Sequence, residues 1–429
     1  MYKFSTCTFI FLLFALTSST AQEYQEISCG PNYKFQSYVK LAEGTQKQVS
    51  NDAWDIAFSA FGFQDAGIYI NESAPSSTGE NLPQTELYVT ESGDFDAPID
   101  LEKIKTNKLY NSKDTWNYGA FNIVRDLSNP FDYGWGVYAP SSHAVVGNKV
   151  YVLKLRDGNY KKIKIDALNG TDYVFTYANL DGSNKVTKTL SKTKDNLNQK
   201  LIYFSFTTEN TVDILPTGGY DLMYGRYVSW AKDPNGTIEQ YYNVTGVLTA
   251  PGVKTAVANG IDPETVKVDD YLDKFTEKVD AIGYDWKTLV GTGWSLAADR
   301  AFFVKLPDNN IWKIVFIDFE GSATGTATIQ KTFLGQPSAT HELKNVEFGT
   351  FPNPVVNELI VSLDIANGEN HNYSIEVLDQ SGRLITSKQL HNLHGWNVIN
   401  IDTQEWNKGL YIVKVSDGQN ISSRKIAKQ

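Results

Sequence analysis

The sequence is poor in cysteine, since Cys7 and Cys29 are the only two among its 429 residues. Cys7 falls in a segment that we expect to be removed on export, so the mature chain keeps Cys29 as its single thiol. A single thiol excludes an intrachain disulfide even in an oxidising compartment. The mature protein must therefore be stabilised by an ordinary hydrophobic core.

Long hydrophobic runs are also missing. Residues 1–21 have a charged start at Lys3, a short apolar run and small residues at Ser19 and Ala21, and this pattern predicts a signal peptide. The apolar run is far shorter than the roughly 20 residues that a membrane-spanning helix needs. We therefore expect the mature chain to begin near Gln22, to be exported and to contain no membrane span.

Basic charge is low, because 39 lysine and arginine residues stand against 49 aspartate and glutamate residues, for a formal net charge of -10. Nucleic acids and anionic lipids bind to basic patches, so this balance argues against both as partners. The sequence also has no zinc-protease helix, serine elbow, phosphate-binding loop or Cys/His pair. These absences predict a protein that is not an enzyme.

Aromatic residues are abundant, with 24 Tyr, 22 Phe and 9 Trp, and this composition favours strands over helices. The runs 150–155 and 160–165 roughly alternate in polarity and are separated by Asp157-Gly158, which predicts a hairpin. Residues 263–279 are the exception, because their apolar side chains have helical spacing after Asp262 and predict one short helix. The predicted fold class is all-β.

An internal repeat connects two parts of the chain. Residues 133–165 align with residues 284–316 without a gap, at a constant offset of 151. Two further related segments, 54–58 and 220–224, lie upstream, and each has an aromatic residue, an aspartate and a short apolar run. The identical pairs are Tyr133/Tyr284, Trp135/Trp286, Lys154/Lys305, Leu155/Leu306, Asp157/Asp308, Asn159/Asn310, Lys162/Lys313 and Ile163/Ile314.

We interpret residues 22–340 as one β-rich domain with two diverged halves, roughly 25–180 and 200–337. Chance similarity of two amphipathic hairpins is the alternative. The aromatic and aspartate residues of the repeated pattern are expected to be core anchors and local hydrogen-bonding groups rather than a cofactor site.

A second domain follows a break in the pattern. Small and polar residues predict a linker at 341–350, and residues 351–429 then contain short strand patterns separated by turn residues such as Ser381-Gly382. The spacing predicts a small β-sandwich. The expected strands are 358–363, 373–378, 383–387, 397–401 and 410–415.

This C-terminal block resembles the type A sorting domain of type IX secretion. Its motifs stand in the family's order, as Phe351-Pro-Asn-Pro354, Asp379-Gln-Ser-Gly-Arg-Leu384 and Lys408-Gly-Leu-Tyr-Ile-Val-Lys-Val415. The resemblance implies that the type IX secretion machinery carries the protein across the outer membrane of a Gram-negative bacterium. The rest of the chain would then be attached to the cell surface or released. An adhesive sandwich with a coincidental terminus is the alternative.

The larger region resembles the HmuY-like family of haem-binding proteins. The resemblance covers most of residues 25–337 and implies an all-β fold, haem or porphyrin as a ligand in iron acquisition, and a haem receptor as a possible partner. The residues that carry it are 54–58, 134–138, 150–165, 220–224 and 242–248.

The sequence departs from the two-histidine clamp that is common in that family. His143 is the only histidine ahead of the boundary, and His341 belongs to the boundary itself. At the repeat position of His143 the second half has Trp294, which cannot bind iron, so Met223 is the remaining soft axial candidate. The candidate haem ligands are therefore His143, in a loop expected to be exposed, and Met223, whose alternative role is core packing.

Two functions from different classes remain open at this point. The first is a haem or porphyrin binder at the cell surface or in the medium. The second is a surface interaction protein without enzymatic activity, which keeps the fold and binds a glycan or a protein instead of haem.

Overall fold

The computed structural model describes residues 22–62, 65–75, 84–193, 200–232, 239–336, 343, 346–365, 371–418 and 420–429. The predicted signal peptide, His341 and residues 342, 344 and 345 of the predicted linker therefore lie outside the described residues, whereas residues 346–350 of that linker belong to a strand. The chain divides into two compact units, Met1–Gln336 and Pro337–Gln429. The described residues form antiparallel sheets with one short α-helix, so the predicted all-β fold class is confirmed.

The described part of the first unit contains 23 strands. They are β1 (Gln22–Ser28), β2 (Phe35–Lys40), β3 (Thr45–Ser50), β4 (Ile56–Ser59), β5 (Ile68–Ile70), β6 (Glu86–Val89), β7 (Lys108–Leu109), β8 (Gly136–Ala139), β9 (Ala144–Gly147), β10 (Tyr151–Lys154), β11 (Tyr160–Asn169), β12 (Asp172–Asn179), β13 (Val186–Ser191), β14 (Leu201–Ser205), β15 (Asn210–Val212), β16 (Leu222–Lys232), β17 (Glu239–Thr249), β18 (Lys254–Asn259), β19 (Lys287–Val290), β20 (Gly293–Leu296), β21 (Arg300–Lys305), β22 (Ile311–Phe319) and β23 (Thr326–Gly335). The helix α1 spans Leu101–Ile104, and 3-10 turns lie at Pro31–Tyr33, Lys105–Asn107, Ala120–Asn122, Val268–Tyr271 and Gly321–Ala323.

The sheets of this unit correspond in pairs. The order β13-β12-β11-β10-β6 matches the order β1-β23-β22-β21-β18, and β15-β14-β4-β5 matches β3-β2-β16-β17. The small hairpin β8–β9 corresponds in chain order to the hairpin β19–β20. We call β4–β12 the first strand series and β16–β23 the second. The N-terminal strands β1 and β2 complete the sheets of the second series, and β13 and β14 complete those of the first.

The correspondence extends to single residues. A bulge between β11 and β12 falls at Ile165/Ala167, and one of the two register shifts between β22 and β23 falls at Phe316/Asp318, so these positions differ by 151 (316 − 165 and 318 − 167); the other shift, at Ile311/Trp312, has no counterpart between β11 and β12. A bulge inserts one residue and bends its strand, which makes it a specific marker of register. The two strand series have the same pairing order and share this bulge.

The repeated aspartates link neighbouring strands. Asp55 N donates to Phe204 O at 2.9 Å, and its carboxylate accepts the N–H of Phe206 at 2.7 Å. Asp221 N donates to Val39 O at 2.8 Å, and its carboxylate accepts the N–H of Leu41 at 2.8 Å. Each aspartate therefore satisfies a backbone donor in a neighbouring segment that is distant in sequence, whereas the sequence had predicted local hydrogen bonds.

The repeated aromatic residues form the core. Trp135 and Trp286 are fully buried, and Trp54 and Tyr220 are buried as well, so the expectation of core anchors is confirmed. Trp135 Nε1 donates to Ala66 O at 2.9 Å, while Trp286 Nε1 donates to Gly283 O at 3.1 Å. Each indole thus finds a backbone acceptor, as buried tryptophans usually do.

The predicted helix at 263–279 is wrong. Only a 3-10 turn, Val268–Tyr271, forms there, and Asp262 caps a single turn by accepting the N–H of Glu264 at 3.0 Å. Thr255 and Thr276 then exchange backbone hydrogen bonds of 2.9 and 3.0 Å in an isolated β-bridge. Most apolar side chains of the segment are partly buried against the sheet around Phe303. An irregular segment can therefore bury the side chains whose spacing had predicted a helix.

The second unit, over its described residues, contains seven strands: β24 (Val346–Phe351), β25 (Glu358–Ile365), β26 (His371–Asp379), β27 (Leu384–Leu393), β28 (Gly395–Asp402), β29 (Gly409–Ser416) and β30 (Ile421–Lys428). They form two sheets, β24-β25-β28 and β27-β26-β29-β30, around a separate core, as expected for a small sandwich.

The tail motifs have local structural roles. Asp379 accepts hydrogen bonds from the Ser381 hydroxyl at 2.6 Å and from Arg383 Nε at 3.0 Å, in the turn that joins β26 to β27. The Ser381 hydroxyl and these neighbouring donors lower the pKa of Asp379 to about 2. Asn353 accepts the N–H of Ala427 at 2.8 Å and so connects the first motif to β30.

Within the described part of the chain, no helix is long and apolar enough to cross a membrane.

Candidate functional site

His143 lies in the turn between β8 and β9 and is exposed, as the sequence predicted. Its backbone is in the left-handed region, with φ 53, and its Nδ1 is 3.2 Å from the Tyr138 hydroxyl. Phe131 stacks on Tyr138 with a centroid distance of 6.0 Å. The imidazole therefore stands at the surface beside two aromatic rings.

Met223 is buried in β16, opposite Tyr38 of β2. It lines a cavity of about 60 Å³ together with Tyr38, Trp54, Tyr203 and Tyr220. Small-molecule sites typically enclose roughly 300–1,000 Å³. The cavity is therefore far too small for a porphyrin, and Met223 acts here as a core side chain.

The structure does not bring the two candidate ligands together. His143 is exposed on the β8–β9 turn, whereas Met223 is buried, and the cavity that Met223 lines does not include His143. These residues therefore do not fit a haem clamp with two protein ligands. His143 alone fits a single-ligand arrangement, because its imidazole is accessible.

A different site was not predicted from the sequence. The hairpin β19–β20 and strand β17 border a groove of about 490 Å³, which we call the Trp294 groove. Its lining includes Tyr33, Arg226, Tyr242, Asn243, Lys287 and Trp294. Its volume falls in the usual range for small-ligand sites.

The β19–β20 hairpin exposes apolar side chains to solvent. Leu289 lies directly opposite Trp294, and their exposed fractions are 53% and 41%. Val290 is 63% exposed on the same hairpin. The turn contains Gly291 with φ 62, a left-handed conformation that favours glycine. Clustered exposed apolar residues of this kind mark a binding surface more often than single ones do.

Lys287 lies at the base of the same hairpin and is only 8% exposed. Its ammonium group donates to Thr245 O and, at 3.3 Å, to Tyr284 O, and it lies 4.1 Å from the Trp286 ring centroid. Among the described residues it forms no ion pair with a carboxylate. Desolvation by burial lowers the pKa of Lys287 to about 7. A buried cation with a displaced pKa in a groove indicates a functional site.

Arg226 and Asn243 add two buried polar groups to the lining. Arg226 donates to Pro75 O at 2.7 Å and to Asn243 O at 2.9 Å. Arg226 Nε and Asn243 Oδ1 are buried without a hydrogen-bond partner in the described structure. Such groups cost free energy unless a water or a ligand satisfies them. The residues that line the groove therefore include one donor and one acceptor that are buried and unsatisfied in the described structure.

The only sequence signal for this groove was the repeat. The offset of 151 pairs Trp294 with His143 and Lys287 with Gly136, so the hairpin has different chemistry in the two strand series. The sequence pointed to Trp294 only as a residue that cannot bind iron. Nothing in the local sequence distinguishes Lys287 from a solvated lysine, because its burial depends on distant residues.

A larger open depression of about 920 Å³ lies beside the β10–β11 hairpin, but Arg156 and Asp157 in its lining already form hydrogen bonds within the fold. Arg156 donates to Ser73 O at 2.7 Å and to Asn71 O at 3.1 Å. Asp157 accepts two hydrogen bonds from Asn159, at 2.9 and 2.8 Å, within the hairpin turn. We therefore regard the Trp294 groove as the stronger candidate.

Comparison with known families confirms both resemblances seen in the sequence. Residues 349–429 match the family described as Secretion system C-terminal sorting domain, and residues 32–181 match the family described as HmuY protein. The second match runs from β2 to β12 and includes His143, whereas the Trp294 groove is built largely from residues beyond it. The sorting-domain match implies export to the cell surface or secretion, and the HmuY family is one of binding proteins.

Other comparisons add little. No curated protein matches the chain. A solved structure, the crystal structure of dimeric latent PorU from Porphyromonas gingivalis, is 12% identical and aligns over 67% of this chain with a TM-score of 0.19. The alignment spans 31% of that chain, and a TM-score of this size supports no structural argument.

Proposed function

We propose that this chain is an exported binding protein without enzymatic activity, which holds a small ligand in the Trp294 groove outside the cell. The observation that carries the proposal is the buried Lys287 without a carboxylate partner, beneath the exposed Trp294 ring. The sorting domain supports delivery by the type IX secretion machinery. The signal peptide at 1–21, the linker at 341–350 and the origin of residues 25–337 by duplication belong to the same proposal.

The site is tested with a panel of small ligands and glycans added to the mature chain, with thermal unfolding as the readout. We expect at least one ligand to raise the unfolding temperature, because a ligand that binds only the native state stabilises it. Trp294→Ala should abolish that rise, whereas Trp230→Ala, which removes another exposed tryptophan outside the lining of the groove, should preserve it. A ligand response that is equal in both variants would place the site elsewhere.

Haem binding through His143 is the second candidate, and it is favoured by the HmuY match over residues 32–181. His143 would supply one axial nitrogen, and Tyr138 and Phe131 would flank the macrocycle. Haemin titration of the mature chain should then give a saturable Soret band that His143→Ala removes or shifts. An unchanged spectrum and affinity in that variant would reject His143 as the ligand, and the absence of any saturable band would reject haem binding itself.

A further inference from the structure

We propose that the Trp294 groove binds a sugar that carries a carboxylate, such as the acidic unit of a glycan. This inference rests on the proposed function, since it names the ligand class of the same groove. Three features carry it: a buried cation without a counter-ion, exposed aromatic rings, and polar side chains in the lining of the groove.

The ligand carboxylate follows from the charges that surround Lys287. Asp285 is the acidic residue of the lining, but it is exposed and forms an ion pair with Arg300 at 3.1 Å. Cys29 lies behind the lysine, and burial raises the pKa of its thiol to about 12, so that it is neutral near pH 7. Burial also raises the pKa of Tyr33 to about 12. A ligand carboxylate would therefore be the missing partner of Lys287.

Arg226 reinforces the preference for an anion. Burial lowers the pKa of its guanidinium, but the ordinary value of 12.5 is so high that the group stays charged near pH 7. Its two described acceptors are backbone carbonyls rather than carboxylates. The groove thus brings two cationic side chains together in a protein whose formal net charge is -10.

The sugar follows from the remaining groups. Trp294 and Tyr242 are 41% and 39% exposed, so their ring faces are accessible to the apolar face of a pyranose. The lining also contains polar side chains, among them Arg226 and Asn243, and a sugar hydroxyl can both donate to and accept from such groups. A porphyrin carboxylate accepts but does not donate. The described lining of the groove contains no histidine, methionine or cysteine, and its tyrosines Tyr33, Tyr242 and Tyr284 are the side chains there that could bind haem iron.

Protonation of Lys287 should couple to binding. The free groove has a lysine with a pKa of about 7, and a bound carboxylate raises that pKa because it favours the charged form. The contribution of the ion pair is complete below pH 7 and is lost as the pH rises towards the pKa of the bound state. Affinity for the acidic sugar should therefore fall by up to about tenfold per pH unit above pH 7.

The experiment is a calorimetric titration of the mature chain with trigalacturonate, sialyllactose, a neutral galactose trimer and protoporphyrin IX. We expect at least one of the two acidic sugars to bind at pH 6, at least tenfold more tightly than the neutral trimer, and the two acidic probes distinguish a uronic from a sialic acid. Lys287→Met should reduce this preference, with Arg226 left as the remaining cation of the groove, and Trp294→Ala should weaken binding of every sugar. Trp230→Ala should change neither result, and thermal unfolding confirms that each variant is folded.

Different negative results distinguish failure of the acidic-sugar assignment from failure of the Trp294 groove as a ligand site. Equal binding of acidic and neutral sugars, or a Lys287→Met variant that retains the full preference, would overturn the carboxylate assignment and leave the groove as a ligand site. Binding of protoporphyrin IX but of no sugar, with loss in Trp294→Ala, would overturn the sugar and again keep the groove. If no sugar binds and no ligand responds to Trp294→Ala, both the sugar proposal and the proposed function fail.

Discussion

Replacement of the buried Lys287 by methionine gives a direct test of its environment. Methionine has a similar length and is apolar, so Lys287→Met removes the cost of enclosing a charge without leaving a large cavity. The pKa of Lys287 is about 7 instead of 10.5. At about 1.4 kcal/mol per pKa unit, the charged lysine costs the native state about 5 kcal/mol below pH 7.

The cost should depend on pH in a defined direction. Between pH 7 and 10.5 the lysine is protonated in the unfolded chain and neutral in the native chain, so the stability of the natural protein rises with pH across that window. At pH 9 only about 2 kcal/mol of the cost remains. Loss of the bonds to Thr245 O and Tyr284 O costs about 1–3 kcal/mol for each carbonyl at every pH.

The assay is urea unfolding of the mature chain and of Lys287→Met at pH 6 and pH 9. The stability of the variant relative to the natural protein should be about 3 kcal/mol higher at pH 6 than at pH 9. Lys267→Met, at an exposed lysine, is the control and should show no such dependence. A relative stability of Lys287→Met that is the same at both pH values would refute the argument that this lysine is desolvated.

Three further predictions concern export and the core. A chain without residues 349–429 should remain folded but fail to reach the cell surface, because the sorting motifs are lost. Cell fractionation and surface proteolysis measure its location, and normal display at the surface would contradict the prediction. Trp286→Ala should destabilise the protein by about 3–5 kcal/mol because it empties a fully buried site, whereas the exposed Trp294→Ala should change stability far less, as chemical unfolding can compare. Asp221→Ala should cost about 1–3 kcal/mol because it leaves the N–H of Leu41 without its acceptor, and Asp221→Asn, which keeps an acceptor, should cost less; equal losses would argue against this hydrogen bond.

Much of the fold could be read from local pattern. The hairpin at Asp157-Gly158 needs only alternating side chains and a turn, and the structure pairs β10 with β11 as that pattern predicts. The offset of 151 recurs in the bulges at Ile165 and Phe316, which supports the proposed duplication. The motifs of the C-terminal domain could also be identified from the sequence, because residues close in sequence form the turn around Asp379.

The apolar spacing of residues 263–279 did not determine their conformation. An irregular segment can bury the same side chains as a helix when a sheet lies beneath it, and the bridge between Thr255 and Thr276 takes the backbone hydrogen bonds that a helix would have used. The choice between a helix and an irregular segment depends on contact with β18. This strand lies outside residues 263–279, so the periodicity of that segment carries no information about it.

The candidate site depended on tertiary structure for the same reason. The sequence identified His143 and Met223 by residue type and predicted that His143 is exposed, but only the fold shows that Met223 lines a small cavity that does not include His143. Lys287 becomes a buried cation because Thr245 of β17, Phe319 of β22 and Trp294 of the adjoining strand surround it. Desolvation depends on all the segments that exclude water from a group, so it cannot be predicted from a short stretch of sequence.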